Sequence, residues 1–254
     1  MIRLKSENDL KFLRISGKIL SEILKKIEKE IKEGAKLSYL DKLARELSEK
    51  AGAKPAFSGY YPEGASKPYS AAICASINEV VVHGIPNNYV IQNGDLVKID
   101  FGINYQGYFT DAAITVGAGD ISKDAKRLIN ITKKSLKEAI KTCKPGKYLG
   151  DIGFAIENAV KKEKFHIIQS LTGHGVGFEL HEDPTIYNYG KKGDGMELKP
   201  GLVLAIEPMV SIGSSQIVQR NDDSFMTADG SLSAHFEHTV AITDGGCEVL
   251  TKFS

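Results

Sequence analysis

Four carboxylic acids and one imidazole stand in or beside apolar, strand-like segments of this sequence: Asp100, Asp111, His174, Glu207 and Glu237. Carboxylates in such settings are costly to bury, and neighbouring acids repel each other unless they are protonated or bridged by cations. A pair of divalent cations held by carboxylates is also a known device for hydrolysis. We therefore predict a metal site and an enzyme that uses it.

A glycine-rich segment places a second imidazole close to the first. His174 and His181 lie seven residues apart within 173–184, where the glycines do not suit a stable helix. The pattern is therefore not the HExxH helix of zinc peptidases. One of the two imidazoles can bind metal while the other faces a substrate. A third, His83, follows the apolar run 80–82 at a turn, from which its side chain can project into a cleft.

A structural interpretation stays open for each of these residues taken singly. An acid at a strand end often caps a turn, and a lone histidine is more often structural than a metal ligand. Asp111 and Glu237 weigh against this interpretation because each stands just before a strongly apolar run. It is the set of four acids that favours a metal site.

The acids occur in two similar blocks of sequence. The strand-like segment 94–100 is followed by 108–116, and 201–207 is followed by 234–243. In each block a glycine stands six residues before an acid that ends an apolar run, and a second acid opens a run that ends in Ile-Thr. The blocks predict two related halves that each contribute two acids to a shared centre. Because no low-complexity linker divides them, we predict one domain over residues 1–254.

Helical periodicity surrounds these strands. Apolar residues recur every three to four positions from Leu13 to Ile31, and Gly34 follows as a stop signal. A loop rich in Gly, Pro, Ser and Tyr, from Pro55 to Tyr69, is expected beside a site. The predicted helices begin near residue 7 and cover about 7–31, 40–50, 123–142 and 151–162. Helices and strands in this order predict the α+β class.

The bulk composition narrows the partners and the compartment. The 254 residues carry 33 basic and 32 acidic side chains, so the net charge of +1 gives no footprint for nucleic acid or an anionic membrane. The polar amino terminus predicts neither a signal peptide nor a membrane span. Three widely spaced cysteines form no CxxC pair and no disulfide framework, which predicts a reducing cytoplasm.

Five motifs follow one another along the chain: NEVVVHGIPN at 78–87, ID…TD at 99–111, GHGVG…LHEDP at 173–184, AIEPM at 205–209 and SAHFEHTVAIT at 233–243. Together they resemble the type I methionine aminopeptidases of prokaryotes, and the similarity extends from the first helix to Thr251. The resemblance implies a pita-bread fold, in which a pseudo-twofold antiparallel sheet flanked by helices surrounds a dinuclear metal centre. That architecture agrees with the two sequence blocks.

The resemblance also implies a role for each ligand. Asp100 would bind one metal, Asp111 and Glu237 would bridge both, and His174 and Glu207 would complete the other. Two divalent ions are implied, with Co, Mn, Fe(II) and Zn as the candidates. A ligand set rich in oxygen, with one nitrogen and no thiolate, suits Mn, Fe(II) or Co better than a structural zinc site.

The implied activity is removal of the initiator methionine from nascent polypeptides, with a preference for a small second residue. In the implied mechanism, a metal-bridging hydroxide attacks the first peptide bond. Glu207 would shuttle the proton, His181 would donate to the developing oxyanion, and His83 would contact the scissile amide or the next backbone. The family suggests a cytoplasmic monomer, and the charges leave docking on the ribosome open.

The pocket for the methionine side chain is predicted to involve Tyr60 or Tyr61, Cys74 and Leu180. Cys74 has no accompanying histidine pattern that would suit a catalytic thiol, so a small hydrophobe lining a pocket is the better interpretation.

The chain departs from the family pattern at the pocket. Asp223 stands where relatives often carry Trp, and His235 stands where Gln is usual. If 234–243 is one strand, His235 and Glu237 alternate onto the same face, near the metals. The loop 60–69 is also longer than in many relatives, which leaves the breadth of accepted substrates open.

Two alternatives remain at this stage. One is a pita-bread Xaa-Pro aminopeptidase or prolidase, although such enzymes usually carry an additional amino-terminal domain. The other is a non-catalytic peptide- or RNA-binding relative, although such proteins typically lose metal ligands and all five are present. A type II enzyme is disfavoured because only 32 residues separate His174 and Glu207, too few for its helical insertion.

Overall fold

The described residues of this computed structural model, 2–61 and 67–252, contain four helices and fifteen strands. The helices are α1 (Glu7–Glu30), α2 (Leu37–Lys50), α3 (Lys123–Thr142) and α4 (Leu149–Lys162). The strands are β1 (Lys54–Pro55), β2 (Cys74–Ile77), β3 (Val80–Val82), β4 (Leu96–Tyr105), β5 (Tyr108–Gly117), β6 (His166–Ile167), β7 (Thr172–Gly175), β8 (Glu182–Tyr187), β9 (Val203–Ile206), β10 (Met209–Ser211), β11 (Ile217–Gln219), β12 (Phe225–Thr227), β13 (Ser233–His235), β14 (His238–Thr243) and β15 (Gly246–Val249). The predicted α+β class is confirmed.

Local capping signals fix the start of the two longest helices. Ser6 and Asp9 form a capping box at the start of α1, and the Ser122 side chain accepts the Ala125 amide at the start of α3. Both helices bury an apolar stripe against the sheets, and α3 has the bounds that the sequence predicts. No helix in the described part of the chain is long and apolar enough to cross a bilayer.

The other two helices begin earlier than the sequence predicts. Helix α2 begins at Leu37, whose amide donates to Tyr89 O at 3.1 Å, and α4 begins at Leu149, whose amide donates to Met196 O at 2.9 Å. Because these first turns are anchored by carbonyls that are distant in sequence, the local pattern does not show where the helices start.

Every strand pair is antiparallel, and two sheets carry most of the strands. In the first, β4 lies between β1 and β2 and also pairs with β5; the second has the order β15-β14-β9-β7-β8. The smaller sheets have the orders β13-β10-β6 and β11-β12-β3. Helix α1 packs on β4 and β5, while α3 packs on β5, β9, β10 and β13.

The two large sheets meet at one acid, Asp111. Its amide donates to Thr239 Oγ1 at 2.8 Å, and the Thr239 hydroxyl donates back to Asp111 O at 2.7 Å. A second backbone bond lies beside this pair: the Glu237 amide, just before β14, donates to Ala113 O of β5 at 3.0 Å. Backbone groups that would otherwise be buried without partners are thus paired between the halves. This junction brings the acids of both sequence blocks together.

The segment 234–243 is not one strand, as the sequence pattern suggests, but parts of two. Strand β13 pairs with β10 and ends at His235, whereas β14 pairs with β9 and starts at His238. Between them the Phe236 amide donates to Pro208 O and the Glu237 amide to Ala113 O. His235 and Glu237 therefore do not alternate along one strand, because the chain changes sheets at this point.

Lys98 is among the largest fully buried side chains in the described residues, and it ties β4 to β13. Its ammonium donates to Asn78 O at 2.6 Å and to Ser233 O at 3.1 Å. Burial lowers the pKa of Lys98 to about 7. The long stem packs within the core while its nitrogen satisfies two backbone carbonyls, so the side chain acts as a cross-brace beneath the acids.

Replacing Lys98 with Met is expected to lower the free energy of unfolding by about 1–3 kcal/mol, because Ser233 O loses its buried donor. Urea denaturation measures the change, and exposed Lys134→Met serves as the control with an effect of about 0.5 kcal/mol or less. Equal stability of the two variants would contradict the bracing role.

Candidate metal centre

Both large sheets contribute to one acidic centre. Asp100 lies in β4 opposite Ala113, and Asp111 lies in β5 opposite Gly102. His174 lies in β7 opposite Ala205 of β9. Glu207 directly follows β9, and Glu237 directly precedes β14. Three of the positions are thus set by strand register and two by the residues at strand ends.

The side chains converge tightly. Asp111, His174 and Glu237 each place a potential ligand atom within 4.8 Å of the other two. His174 Nε2 lies 3.6 Å from Glu207 Oε1, and the Asp111 charge acts on the Asp100, Glu207 and Glu237 carboxyl groups. All five residues line the same cavity.

Burial and repulsion make these acids unfavourable as bare anions. Burial raises the pKa of Asp100, Glu207 and Glu237 well above the usual range, and the Asp111 charge raises all three further. The pKa of Asp111 itself rises to about 7, again chiefly through burial. Acids in this state need protons or nearby cations to be stable.

The structure around the acids fits metal cations. In the described residues, no Lys or Arg forms an ion pair with Asp100, Asp111 or Glu237. Asp100 Oδ1 and Glu237 Oε1 are buried without a hydrogen-bond partner. Four carboxylates and one imidazole, with free oxygens turned into a shared space, are the donor set that hard or borderline divalent ions bind.

His174 is prepared to act as a neutral ligand. Its Nδ1 lies 2.9 Å from Gly175 O, and because a carbonyl only accepts, Nδ1 carries the ring proton. Burial lowers the pKa of His174 to about 4, so the imidazole is uncharged at neutral pH. Nε2 therefore keeps its lone pair on the side of Glu207, as in metal sites where the second nitrogen is held by a carbonyl.

His181 and His83 stand at the open side of the cavity. The His181 ring centroid is 4.4 Å from that of His174, and His181 Nδ1 is 2.6 Å from the Tyr60 hydroxyl. His83 has a left-handed backbone (φ 60°) that turns its ring to 5.8 Å from Phe225. Both rings line the cavity. Burial nevertheless lowers the pKa of His83 and lowers that of His181 to about 3. Both rings are neutral donors or acceptors.

The predicted pocket residues have different outcomes. Tyr60 and Cys74 line the cavity, whose volume is ≈ 970 Å³. Tyr61 is 58% exposed and is not among the residues around the cavity. Leu180 is buried behind the residues that line it, in a cluster with Phe57 and Cys74. Of the alternatives Tyr60 and Tyr61, it is Tyr60 that lies at the cavity, and contact of these residues with a substrate stays a prediction.

Five apolar lining residues were not singled out as pocket residues from the sequence, although four of them lie in motifs or in the loop marked above: Phe57, Tyr69, Val82, Met209 and Phe225. Tyr69 lies at the end of the loop that the composition marked, and its hydroxyl donates to Ile73 O at 3.1 Å and Gly84 O at 3.0 Å. Phe225 lies two residues beyond the departure at Asp223. Tyr69 and Phe225 therefore both lie close in sequence to a feature that the sequence marked, the 55–69 loop and Asp223.

Of the two departures from the family pattern, Asp223 lies in the outer part of the cavity and His235 lies deeper. Gln219 Nε2 donates to the Asp223 carboxylate at 3.3 Å. The predicted long loop 60–69 falls partly outside the described residues, which omit 62–66.

His235 is buried against the acids. Its Nε2 is 3.2 Å from Glu207 Oε2, an electrostatic contact whose angle is not that of a hydrogen bond. The Thr115 hydroxyl clamps its backbone, donating to His235 O and accepting from its amide. The prediction that this residue lies near the centre holds for its position, by a route other than strand alternation.

The similarity of the chain to known proteins covers its whole length. A profile of metallopeptidase family M24 matches residues 11–244. Methionine aminopeptidase 1 of Bacillus subtilis is 42% identical over 253 residues, covering 99% of this chain and 100% of that protein. The crystal structure of methionine aminopeptidase from Thermotoga maritima is similar at a TM-score of 0.95 and 43% identity, covering 99% and 100% of the two chains.

A more distant structure bears on the fold. Prolidase from Pyrococcus furiosus is similar at a TM-score of 0.77 and 24% identity, and the match covers 99% of this chain and 66% of that one. At that identity the likeness concerns the fold alone. The expected pita-bread fold is confirmed by these neighbours, and the full-length similarity favours the aminopeptidases over the prolidase alternative.

Replacing Glu237 with Gln is expected to have opposite effects in the two forms of the protein. Without metal, the variant is stabilised by about 1–3 kcal/mol because a charge disfavoured by burial and by Asp111 is removed. With metal, affinity for Mn(II) falls by about 100-fold. Thermal unfolding with and without chelator, together with calorimetric titration, measures both effects. Exposed Glu197→Gln is the control, and equal behaviour of the two variants would contradict a ligand role.

Proposed function

Because this chain belongs to metallopeptidase family M24, we propose that its buried acids hold two divalent ions and that the peptide bond after an amino-terminal methionine is cut there. Removal of the initiator methionine by a hydrolase of this family follows from the full-length similarity to methionine aminopeptidases. We assign this activity to a single catalytic domain over residues 1–254. The proposal also covers the number of ions, their identity and the role of each residue.

One observation carries the proposal. Asp111, His174 and Glu237 bring ligand atoms from both sheets within 4.8 Å of one another, in a buried centre whose acids have no Lys or Arg partner among the described residues. A structural role would not need so many unpaired acids in one place, since each raises the cost of the others. A cation-binding role explains why they are together.

The ligand roles are those that the family resemblance implies. Asp111 and Glu237, at the junction of the sheets, would hold the ions together with Asp100 on one side and His174 and Glu207 on the other. Co, Mn, Fe(II) and Zn all remain candidates, and the oxygen-rich set suits the first three. When bound, the ions would supply Lewis acidity and lower the pKa of a water to about 7.

Glu207 is the residue placed to move a proton. It is a ligand candidate whose carboxylate also faces two neutral imidazoles, with His174 at 3.6 Å and His235 at 3.2 Å. Burial raises the pKa of Glu207 in the metal-free protein, and its position beside both imidazoles suits a group that passes a proton within the site.

His181 is a donor toward the scissile carbonyl. His181 Nδ1 lies 2.6 Å from the Tyr60 hydroxyl, and in the tautomer that accepts this hydroxyl the neutral ring carries its proton on Nε2. A donor aimed where negative charge develops stabilises the transition state more than the ground state. His83, on the opposite wall beside Phe225, contacts the scissile amide or the next residue.

The apolar part of the cavity receives the methionine side chain. Tyr60, Cys74 and Phe57 lie together at one side of the centre, and polarizable or aromatic surfaces suit a thioether. His83 and Phe225 form the other wall, which leaves space for a small second residue. The amine of the substrate meets the acidic centre, so only amino-terminal residues are cut.

The cellular setting of the proposal is the cytoplasm, with the enzyme acting as a monomer on nascent polypeptides. Cys74, Cys143 and Cys247 are free thiols, as suits a reducing compartment. Contact with the ribosome would bring the enzyme to its substrates, and co-sedimentation with ribosomes tests it.

His181→Ala and His83→Ala are each expected to lower kcat by about 10²–10³-fold on a Met-Ala-Ser peptide, because a donor or a substrate contact is lost. Metal binding by calorimetry stays unchanged, since neither ring is a ligand. Exposed His166→Ala is the control and keeps full turnover. Unchanged turnover in either cavity variant would remove that residue from the mechanism.

Substrate choice separates this proposal from the prolidase alternative. Apoprotein loaded in turn with Co, Mn, Fe(II) or Zn is expected to cleave Met-Ala-Ser much faster than Ala-Pro peptides. Initial rates on both substrates give the comparison, and Met-X-Ser peptides with larger X are expected to slow. Faster cleavage of the proline substrate would refute the methionine specificity.

A further inference from the structure

The amino-terminal segment 2–6 contains a buried ion pair that the proposed mechanism does not use. The Lys5 amide donates to Gly201 O at 2.7 Å, which fixes the segment beside the second sheet. The Lys5 ammonium ends 2.6 Å from Glu182 Oε2, and the side chains are only 3% and 6% exposed. Burying both partners is costly unless the geometry is good, so the pair calls for a role beyond surface charge balance.

Glu182 closes the loop that contains His181. While Oε2 faces Lys5, Oε1 accepts the amides of Phe178 and Glu179. One carboxylate thus joins both ends of the turn 177–182, with His181 as the residue immediately before it. Residues 177–181 belong to no strand or helix, so the bonds to Glu182, together with the bond from the Gly177 amide to Glu179 O, define the shape of the turn.

The stem of Lys5 also packs against this turn. The ammonium lies 4.9 Å from the centroid of the Phe178 ring, a cation–π distance. A Cβ on Gly177 would stand 2.5 Å from Lys5 Cε, so the absence of a side chain there lets the stem pass. Burial lowers the pKa of Lys5, while Glu182 opposes that shift, which indicates that the two side chains depend on each other.

We propose that Lys5 is a positioning residue for His181: the Lys5–Glu182 ion pair holds the turn 177–182 in the shape that presents the His181 ring to the substrate. This inference rests on the proposed function for the role of His181. Without Lys5, the buried Glu182 carboxylate keeps only the longer contact of Oε1 with the half-exposed Arg3 guanidinium, at 3.8 Å, and either turns to solvent or takes up a proton. Both responses weaken its hold on the Phe178 and Glu179 amides.

The Lys5–Glu182 pair and Tyr60 control different degrees of freedom. The Tyr60 hydroxyl, 2.6 Å from Nδ1, limits rotation of the ring, whereas Glu182 fixes the backbone from which the ring projects. The His181 ring stands only 4.4 Å from His174, at 79° between planes. A small shift of the turn therefore changes the distance from His181 to the metal-facing ring and to the scissile bond.

The test measures kcat and KM on Met-Ala-Ser for Lys5→Met in the wild-type background and in the His181→Ala background. In the first, kcat falls by about 10–100-fold with KM nearly unchanged, because a misplaced donor weakens the transition state more than binding. In the second, Lys5→Met causes no further loss, since the residue it positions is already gone. Lys5→Arg, which keeps the charge, restores most of kcat.

The control is Arg14→Met, which removes another ion pair near the amino terminus, with Glu248, away from the turn. It keeps kcat within about twofold of wild type. An equal loss from Lys5→Met in both backgrounds, or no loss in either, overturns the positioning role. If Lys5→Met does not fold, Glu182→Gln replaces it in the same two backgrounds, with the same expected outcomes.

A second measurement does not depend on cleavage. Amide hydrogen exchange at Phe178 and Glu179, followed by NMR in the full-length protein, is expected to quicken at least tenfold in Lys5→Met and not in Arg14→Met. Unchanged exchange at both amides overturns the inference. If the wild-type protein cleaves no Met peptide, the proposed function fails, while faster exchange still supports the link between Lys5 and the turn.

Discussion

The burial of four carboxylates at the junction of two sheets is the constraint on which the rest of the structure depends. Burial raises the pKa of every one of them, that of Asp111 to about 7, and the Asp111 charge raises the pKa of the other three further. The histidines around them are neutral because burial also lowers their pKa, so they add no positive charge. The apolar core and the backbone bonds between Asp111 and Thr239 must therefore hold the acids together until cations bind.

Local sequence signals were sufficient wherever a single segment determines its own structure. The Ser122 cap and the Pro145-Gly146 stop fix α3 without help from the rest of the chain. The two sequence blocks were informative because each places acids in or beside apolar strand segments, where an acid stands out. The α+β class follows from the same periodicities. The motifs then identify the family, and with it a fold that periodicity alone does not give.

The remainder depends on contacts between distant segments, which no local pattern contains. Leu37 begins α2 because Tyr89 offers a carbonyl, and the run 234–243 breaks because Pro208 and Ala113 draw it to different sheets. The same holds for the positions of the pocket candidates. Tyr61 is exposed and Leu180 is buried behind the cavity wall, since the direction of a loop side chain is decided by what the loop packs against.

The hydrogen bonds between Asp111 and Thr239 join residues 128 positions apart. Loop closure over that distance is entropically costly, and chains dominated by such contacts fold slowly. The β4–β5 hairpin, with its short turn at Gln106 and Gly107, is local in sequence, but it holds only two of the five ligand residues. A cation therefore finds no complete binding site while the chain is being synthesised. Metal loading must follow folding, so an emerging copy of this chain stays inactive until its last strands have docked.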